Sequence, residues 1–412
     1  MNTAKYFQRS DIHPVEPAVS LTGNEHIAVI PVYDENDSIA ATLLSIKKAL
    51  RRSPEPVITV LVINEPVDAP PAARANNRQL LESLRKNDGK FDGTLTVGKE
   101  LFFIDLIDKE IPNKFRNVGN ARKAGFDGTI FANDGNLTDK DPLFFSLDAD
   151  TLIAEDYFEK AILWAKENPT AAGAVFHFEH RFENSDAAVN NAAMCYEIYL
   201  RDYAWKLKET TTPYAFWTIG SAFMCCMSGY VTCGGMRRNA AGEDFYFLQA
   251  LCKVGPVGVV QDTTVYPSGR VSNRVPFGTG PAIQQAVEGK AVKLYNQKCF
   301  DELKEFFTAA ASAEYNSLKD NIQELMGQYV KEFLQTQDFS SVWAKSVKNT
   351  PKNQQRLLKA LHTYCDGFFI LKFCHYLEEK YPQIFFRQEL VIPGDIAEYL
   401  KNLRELDRRR FC

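Results

Sequence analysis

The chain has 412 residues, 45% of them hydrophobic and 24% charged, and its 52 acidic and 48 basic residues leave a formal net charge of -4. That length accommodates one large domain and a smaller one, and the charge balance excludes an electrostatic grip on nucleic acid as the main activity. The nine cysteines include no CxxC pair, the opening "MNTAKYFQRSDIHPVEP" lacks a leader's apolar stretch, and no apolar run reaches about 18 residues, so the expectation is reduced thiols, a cytoplasmic setting and no membrane span.

Four short apolar runs punctuate the first 150 residues: "IAVIPV" from Ile27, "VITVLVI" from Val57, "LFFIDLI" from Leu101 and "LFFSLDAD" from Leu143. Each is rich in β-formers and bounded by polar or turn residues, which predicts strands. Between the first two, Ile39, Leu43, Ile46 and Leu50 recur at helical spacing behind Asn36, Asp37 and Ser38, all residues able to cap a helix. "AARANNRQLLESLRKN" and "GNARKAGFDGTIFA" predict two further helices. Continuous apolar strands alternating with helices imply a parallel sheet covered on both faces. In such a sheet ligands bind beyond the carboxyl ends of the strands, where this chain places "YDEN", "NEP", "DLIDKE" and "DADT". No Gly-rich phosphate loop follows the first strand.

Beyond Asp150, "EDYFEKAILWAKEN" reads as a helix, "AAGAVFHFEH" as a strand and "NNAAMCYEIYLRDYAWKLKE" as a long helix. The Gly-, Cys- and Met-rich "TIGSAFMCCMSGYVTCGGM" follows, then a helix opening at "AGEDFYFLQALCKVG" and a loop dense in Gly, Pro and Arg, "YPSGRVSNRVPFGTGPA". Cys225, Cys226 and Cys233, with His177 and His180, fit no metal-ligand spacing and read as core filling. From Gln284 onward helical patterns dominate. The expected organisation is an extension over 1–25, an α/β domain over 26–283 and a helical region over 284–412.

The two carboxylates of "SLDADT" project to one side if Asp148 and Asp150 continue a strand, with Ala149 keeping the backbone close. Oxygen ligands so placed suit Mg²⁺ or Mn²⁺, which also binds diphosphate oxygens and stabilises a departing nucleoside diphosphate. The same pair could instead simply begin a loop and cap the next helix.

The succession "PVYDENDSI", "RNVGNARKAGF", "SLDADT" and "GGMRRNAAGEDFYFLQAL" resembles the GT-A glycosyltransferases, the inverting family 2 type in particular, over residues 27 to 275. The resemblance implies a GT-A, Rossmann-like mixed sheet with a helical C-terminal extension. It also implies transfer of a sugar from a UDP- or GDP-sugar donor to a saccharide or other hydroxyl acceptor, with Mn²⁺ or Mg²⁺. It places Pro31, Tyr33, Glu35 and Asn64 at the base or ribose, Arg122 and the neighbouring Lys114 or Arg116 near the nucleotide, and Asp148 and Asp150 on the metal. Asp244, with Glu243 beside it, takes the position of the base that deprotonates the acceptor. Trp217, Gly220 and Ser221 fall on the acceptor and sugar side. Arg270 and Arg274 sit four apart in a loop suited to closing over a diphosphate.

The chain departs from that pattern in places. "INEP" stands where many relatives carry a pair of acids and Ser, and the Gln-x-x-Arg-Trp signature of processive synthases is absent. A nucleotidyltransferase making nucleotide sugars, or a catalytically silent carbohydrate-binding scaffold on the same fold, are the alternatives. The aromatic "FFILKFCHYLEEKYPQIFF" and basic "LRELDRRRFC" leave peripheral membrane contact open.

Overall fold

The computed structural model describes residues 6–8, 11–18, 24–86, 94–107, 109–132, 141–272 and 278–411. The chain divides into two units: residues 1–194, 218–288 and 404–412 form the first, and residues 195–217 with 289–403 form the second.

The first unit is built on eight strands: β1 (His26–Val32), β2 (Val57–Ile63), β3 (Leu101–Asp105), β4 (Leu143–Ser146), β5 (Leu152–Ile153), β6 (Gly173–Phe178), β7 (Phe223–Cys226) and β8 (Val257–Tyr266). They lie in the order β3-β2-β1-β4-β7-β6-β8-β5. The pairings among β3, β2, β1 and β4 are parallel, and every residue of β1 and β2 is buried, as the unbroken apolar runs require. The wholly parallel sheet expected from the alternation stops at β4. There β7 inserts antiparallel to both β4 and β6, and β5 runs antiparallel to β8, so the sheet is mixed.

The helix Asn36–Leu50 buries Ile39, Leu43 and Ile46 against this sheet unit and leaves Leu44 exposed, the single-faced pattern its spacing predicts. The helix Val118–Ala132 behaves differently, with every residue from Gly119 to Ile130 buried. Its small residues let it sit close to the strands, and its buried charges must therefore find partners inside the protein. Lys123 does so with Asp127 at 2.6 Å, and Asp127 also accepts from the hydroxyls of Tyr6 and Tyr230. The tie to Tyr6 brings N-terminal residues onto the unit. Glu16 exchanges both backbone hydrogen bonds with Phe103, covering the edge of β3.

The second unit is helical, with a core formed by Phe300, Leu303, Phe306, Phe333, Ile370 and Phe373 and their neighbours. The helix Gln297–Ser312 supplies three of its phenylalanines, at helical spacing. Within this unit Arg201 donates from Nε and Nη2 to Glu197 Oε1, at 3.0 and 2.7 Å, and both side chains are fully buried. Removing one partner takes a close counter-charge from the other in the interior. Glu197→Ala is expected to cost ~3–5 kcal/mol of stability, read from the shift of a chemical-denaturation curve. A cost below about 1 kcal/mol, the range of an exposed pair, would show that the guanidinium finds other compensation. No helix among the described residues is long and apolar enough to cross a membrane.

Candidate active site

The ends of β1, β2, β3 and β4 carry the polar residues flagged by the sequence, and folding sorts them into a cleft and a charged cluster. Pro31 lies inside β1, buried and in register with Val62, while Tyr33 follows the strand half-buried. Asp34 adopts a left-handed backbone, φ 55°, held by its N–H on Asn77 Oδ1 and by Asn76 Nδ2 on its own carboxylate. Glu35 then occupies the N-cap of the helix Asn36–Leu50, yet makes no side-chain capping bond. Its carboxylate is bound instead by Arg270.

Asn64 and Glu65 follow β2 and are buried; Glu65 pairs with Arg74 at 2.7 Å. A narrow cleft, with no interior room for a water molecule as it stands, lies here, lined by Asn64, Leu106, Ile111, Phe115, Arg116 and Asn120 among others. Asn64 and Asn120 are buried, yet their side-chain amides form no hydrogen bond among the described residues. Neither amide is among the fully buried polar atoms that lack a partner, so both reach solvent and offer donors and acceptors to a ligand. Arg116 braces the cleft wall by donating to the carbonyls of Ile107 and Lys109, whereas Lys114 is exposed. Sequence reasoning missed Asn120. Its signal was a lone amide among small residues in "VGNARKAG".

Arg122 is the hub of the charged cluster. Its side chain is 2% exposed. Nη2 lies 2.6 Å from Asp148 Oδ1, Nε 3.2 Å from Glu243 Oε1, and Nη1 donates to Ser146 Oγ at 2.7 Å and to the Leu147 carbonyl. Ser146 in turn donates to the Gly220 carbonyl at 2.7 Å. A side chain at position 220 would place its Cβ 2.5 Å from Arg122 Nη2, so only glycine lets the guanidinium pass. Ser221 is buried beside it in sequence. Trp217 is buried and belongs to the second unit's segment Cys195–Trp217, and Arg274 lies outside the described residues.

The helix Glu243–Val254 delivers the two remaining acids. Its N-cap is Gly242 with φ 68°, a left-handed conformation that turns the chain sharply into the first helical turn. Glu243 is buried on Arg122. Asp244 is half-buried, accepts from the Phe245 N–H at 2.8 Å, and forms no ion pair among the described residues. Burial pushes the Glu243 carboxyl up, the Asp244 charge pushes it further, and Arg122 pulls it back. Burial also raises Asp244, opposed by the Phe245 hydrogen bond and by Arg122.

Two arginines hold Asp150 from opposite ends of the residue, backbone and side chain. Arg181 Nη2 donates to its carbonyl at 2.7 Å, and Arg270 Nη2 lies 2.8 Å from its Oδ2. Nothing in the residues around Arg181 pointed to this role. Among the described residues no group of three or more His, Cys, Asp and Glu side chains is placed to hold a metal ion. The two carboxylates are still hard oxygen donors on one short segment. Both follow β4, which ends at Ser146, and residues 149 and 150 form a turn, so strand alternation does not set the two carboxylates side by side. Asp148 is more than one-third exposed and engaged through Oδ1 alone, leaving one oxygen open to a divalent cation, which Asp150 could join only by giving up Arg270.

No family model and no curated protein matches this chain. Among solved structures, it is similar to S. aureus TarS 1–349 in complex with UDP-GlcNAc, at 11% identity and a TM-score of 0.41, covering 82% of this chain and 91% of that one. It is also similar to the mannosyltransferase PcManGT from Pyrobaculum calidifontis in complex with GDP-Man and Mn²⁺, at 12% identity and a TM-score of 0.37, covering 89% and 93%. Both likenesses are distant, and the assignment below rests on the site's own geometry.

Proposed function

We propose that the chain is a GT-A-type glycosyltransferase that moves a sugar from a nucleoside diphosphate donor to an acceptor hydroxyl, with inversion at the anomeric carbon. The supporting observation is one of convergence. Arg122, Asp148 and Glu243, separated by 26 and 121 residues from the arginine, meet in one cluster, and Asp244 stands beside it with no ion pair among the described residues.

In this reading the amides of Asn64 and Asn120 hold the nucleobase edge, with Tyr33 close to the same strand ends. Asp148 and Asp150 would hold Mn²⁺ or Mg²⁺, which when bound neutralises charge on the departing diphosphate. Arg122 fixes Asp148 and Glu243 in place. Asp244 accepts the proton of the acceptor hydroxyl, whose own acidity is far too low for it to ionise at neutral pH. Burial keeps the Asp244 carboxylate poorly solvated and so more basic than in water. Gly220 and Ser221 lie on the acceptor side. The eight described cysteines are all free thiols, which supports a reducing, cytoplasmic setting.

Incubation with a panel of UDP-, GDP- and CDP-sugars, read by mass spectrometry of the released nucleoside diphosphate, tests the proposal. One donor is expected to be turned over in a Mn²⁺- or Mg²⁺-dependent way, and to stabilise the protein thermally by ~2.7 kcal/mol at one hundred times its Kd. Asp150→Ala should lose the metal-dependent part of that stabilisation. Release of pyrophosphate from a nucleoside triphosphate and a sugar phosphate, with no nucleotide sugar consumed, would instead establish a nucleotidyltransferase.

A further inference from the structure

The two acids of "DAD" are held by arginines of different kinds. Asp148 pairs with Arg122, which is buried and fixed by four acceptors. Asp150 pairs with Arg270, whose side chain is 32% exposed and which lies four residues beyond the end of β8. Arg270 bridges Asp150 Oδ2 to Glu35 Oε1, although 235 residues separate it from Glu35. Both carboxylates are largely buried, at 20% and 7% exposure. The Asp150 backbone is meanwhile anchored by Arg181 and the Ala149 carbonyl by Thr42 Oγ1 at 2.8 Å, so the aspartate can exchange side-chain partners without moving the chain.

We propose that Arg270 is a resident counter-cation of Asp150 and Glu35 in the ligand-free protein, and that a divalent cation and a nucleoside diphosphate therefore bind as a coupled pair. The inference rests on the glycosyltransferase reading for the identity of the two ligands. A cation arriving alone must displace Arg270 from Asp150 and leave a half-buried guanidinium without one of its acceptors, which opposes binding. A diphosphate arriving with the cation supplies the displaced guanidinium with oxygens it can bind through two parallel N–H bonds. The same exchange accounts for Glu35, an N-cap residue whose carboxylate forgoes the helix end for Arg270. Linkage makes the effect reciprocal, so the diphosphate is held weakly without the metal.

Titration of the full chain with Mn²⁺, read by the electron paramagnetic resonance of the free ion, tests this without any turnover. Wild type is expected to bind Mn²⁺ weakly alone and about ten-fold or more tightly in the presence of UDP or GDP, within the usual range of coupling. Arg270→Ala, with Arg270→Gln as a second variant, should bind Mn²⁺ alone about ten-fold more tightly than wild type and lose most of the coupling. Asp150→Ala in the Arg270→Ala background should abolish that gain. If the Arg270 variants bind Mn²⁺ alone no better than wild type while wild type still binds it with the nucleotide, the exchange is overturned and the transferase reading stands. If no protein binds Mn²⁺ with either nucleotide, the metal-dependent reading and the exchange fall together.

Discussion

Asp244→Asn is expected to lower kcat by ~10²–10⁴-fold, the usual contribution of a positioned general base, while leaving donor affinity unchanged. The amide has the shape of the carboxylate, and its oxygen still accepts from the Phe245 N–H, so the first turn of the helix Glu243–Val254 keeps its geometry. What disappears is a site for the acceptor's proton. Because burial raises the Asp244 carboxyl, the acid limb of the wild-type pH profile should lie above the ordinary carboxylate range, with kcat falling as pH drops through it. The two acids share this environment, so the limb belongs to the Glu243–Asp244 pair rather than to either alone. Steady-state kinetics with the donor found in the screen, together with nucleotide binding by calorimetry, separates the possibilities. Full turnover in the Asn variant would exclude Asp244 as the base, and loss of donor affinity would move it to the donor side.

Glu243→Gln should behave differently, because Glu243 is already committed to Arg122. The resemblance already put the base at Asp244, but the engagement of Glu243 with Arg122 was not legible in "AGED", where either acid is also a favourable charge at a helix start. It emerges only when the helix is placed against Arg122. The residue types at the strand ends were legible for a simple reason. An apolar run ending in Asp or Asn marks both a strand and the point where it leaves the core, as at Asn64 and Asp148. Partners distant in sequence were not. Nothing in the composition joins Arg270 to Glu35, or Arg181 to the Asp150 carbonyl.

The sheet divides in the same way. β1 to β4 announce themselves because both of their faces are covered, so each reads as a continuous apolar run. β7 is four residues long and lies inside a stretch of Gly, Ser, Cys and Met, too short for any period to show. β8 is ten residues long but carries Gln261, Asp262, Thr263 and Thr264 in sequence, which hides the strand among apparent loop residues. Three of those four polar residues are nonetheless buried, and Thr264 Oγ1 and the Gln261 carbonyl both accept from Arg408, near the chain's end. Tertiary partners thus let a polar segment serve as a strand.

Arg122→Ala is expected to cost ~3–5 kcal/mol of stability, the range for breaking a buried ion pair from one side, because Glu243 and Asp148 both lose their cation. The loss should depend on pH in a defined direction. In the folded protein Glu243 titrates above its ordinary value, so between that value and the raised one the native state binds more protons than the unfolded state. Stability therefore falls as pH rises through that window and is greatest on its acid side. Arg122 is the charge that limits the upward shift to about 7, so its removal raises the Glu243 carboxyl further and extends the window above neutral pH. The stability difference between wild type and the Ala variant should accordingly be larger at about pH 8 than at about pH 5, as measured by urea denaturation at both. Arg122→Lys keeps the charge but cannot reach Ser146, Asp148 and Glu243 together from one ammonium, and should recover the pH dependence more fully than donor binding. A difference that shrinks as pH rises would mean that Arg122 does not hold Glu243 ionised, and the proposed division of labour between Glu243 and Asp244 would have to be reversed.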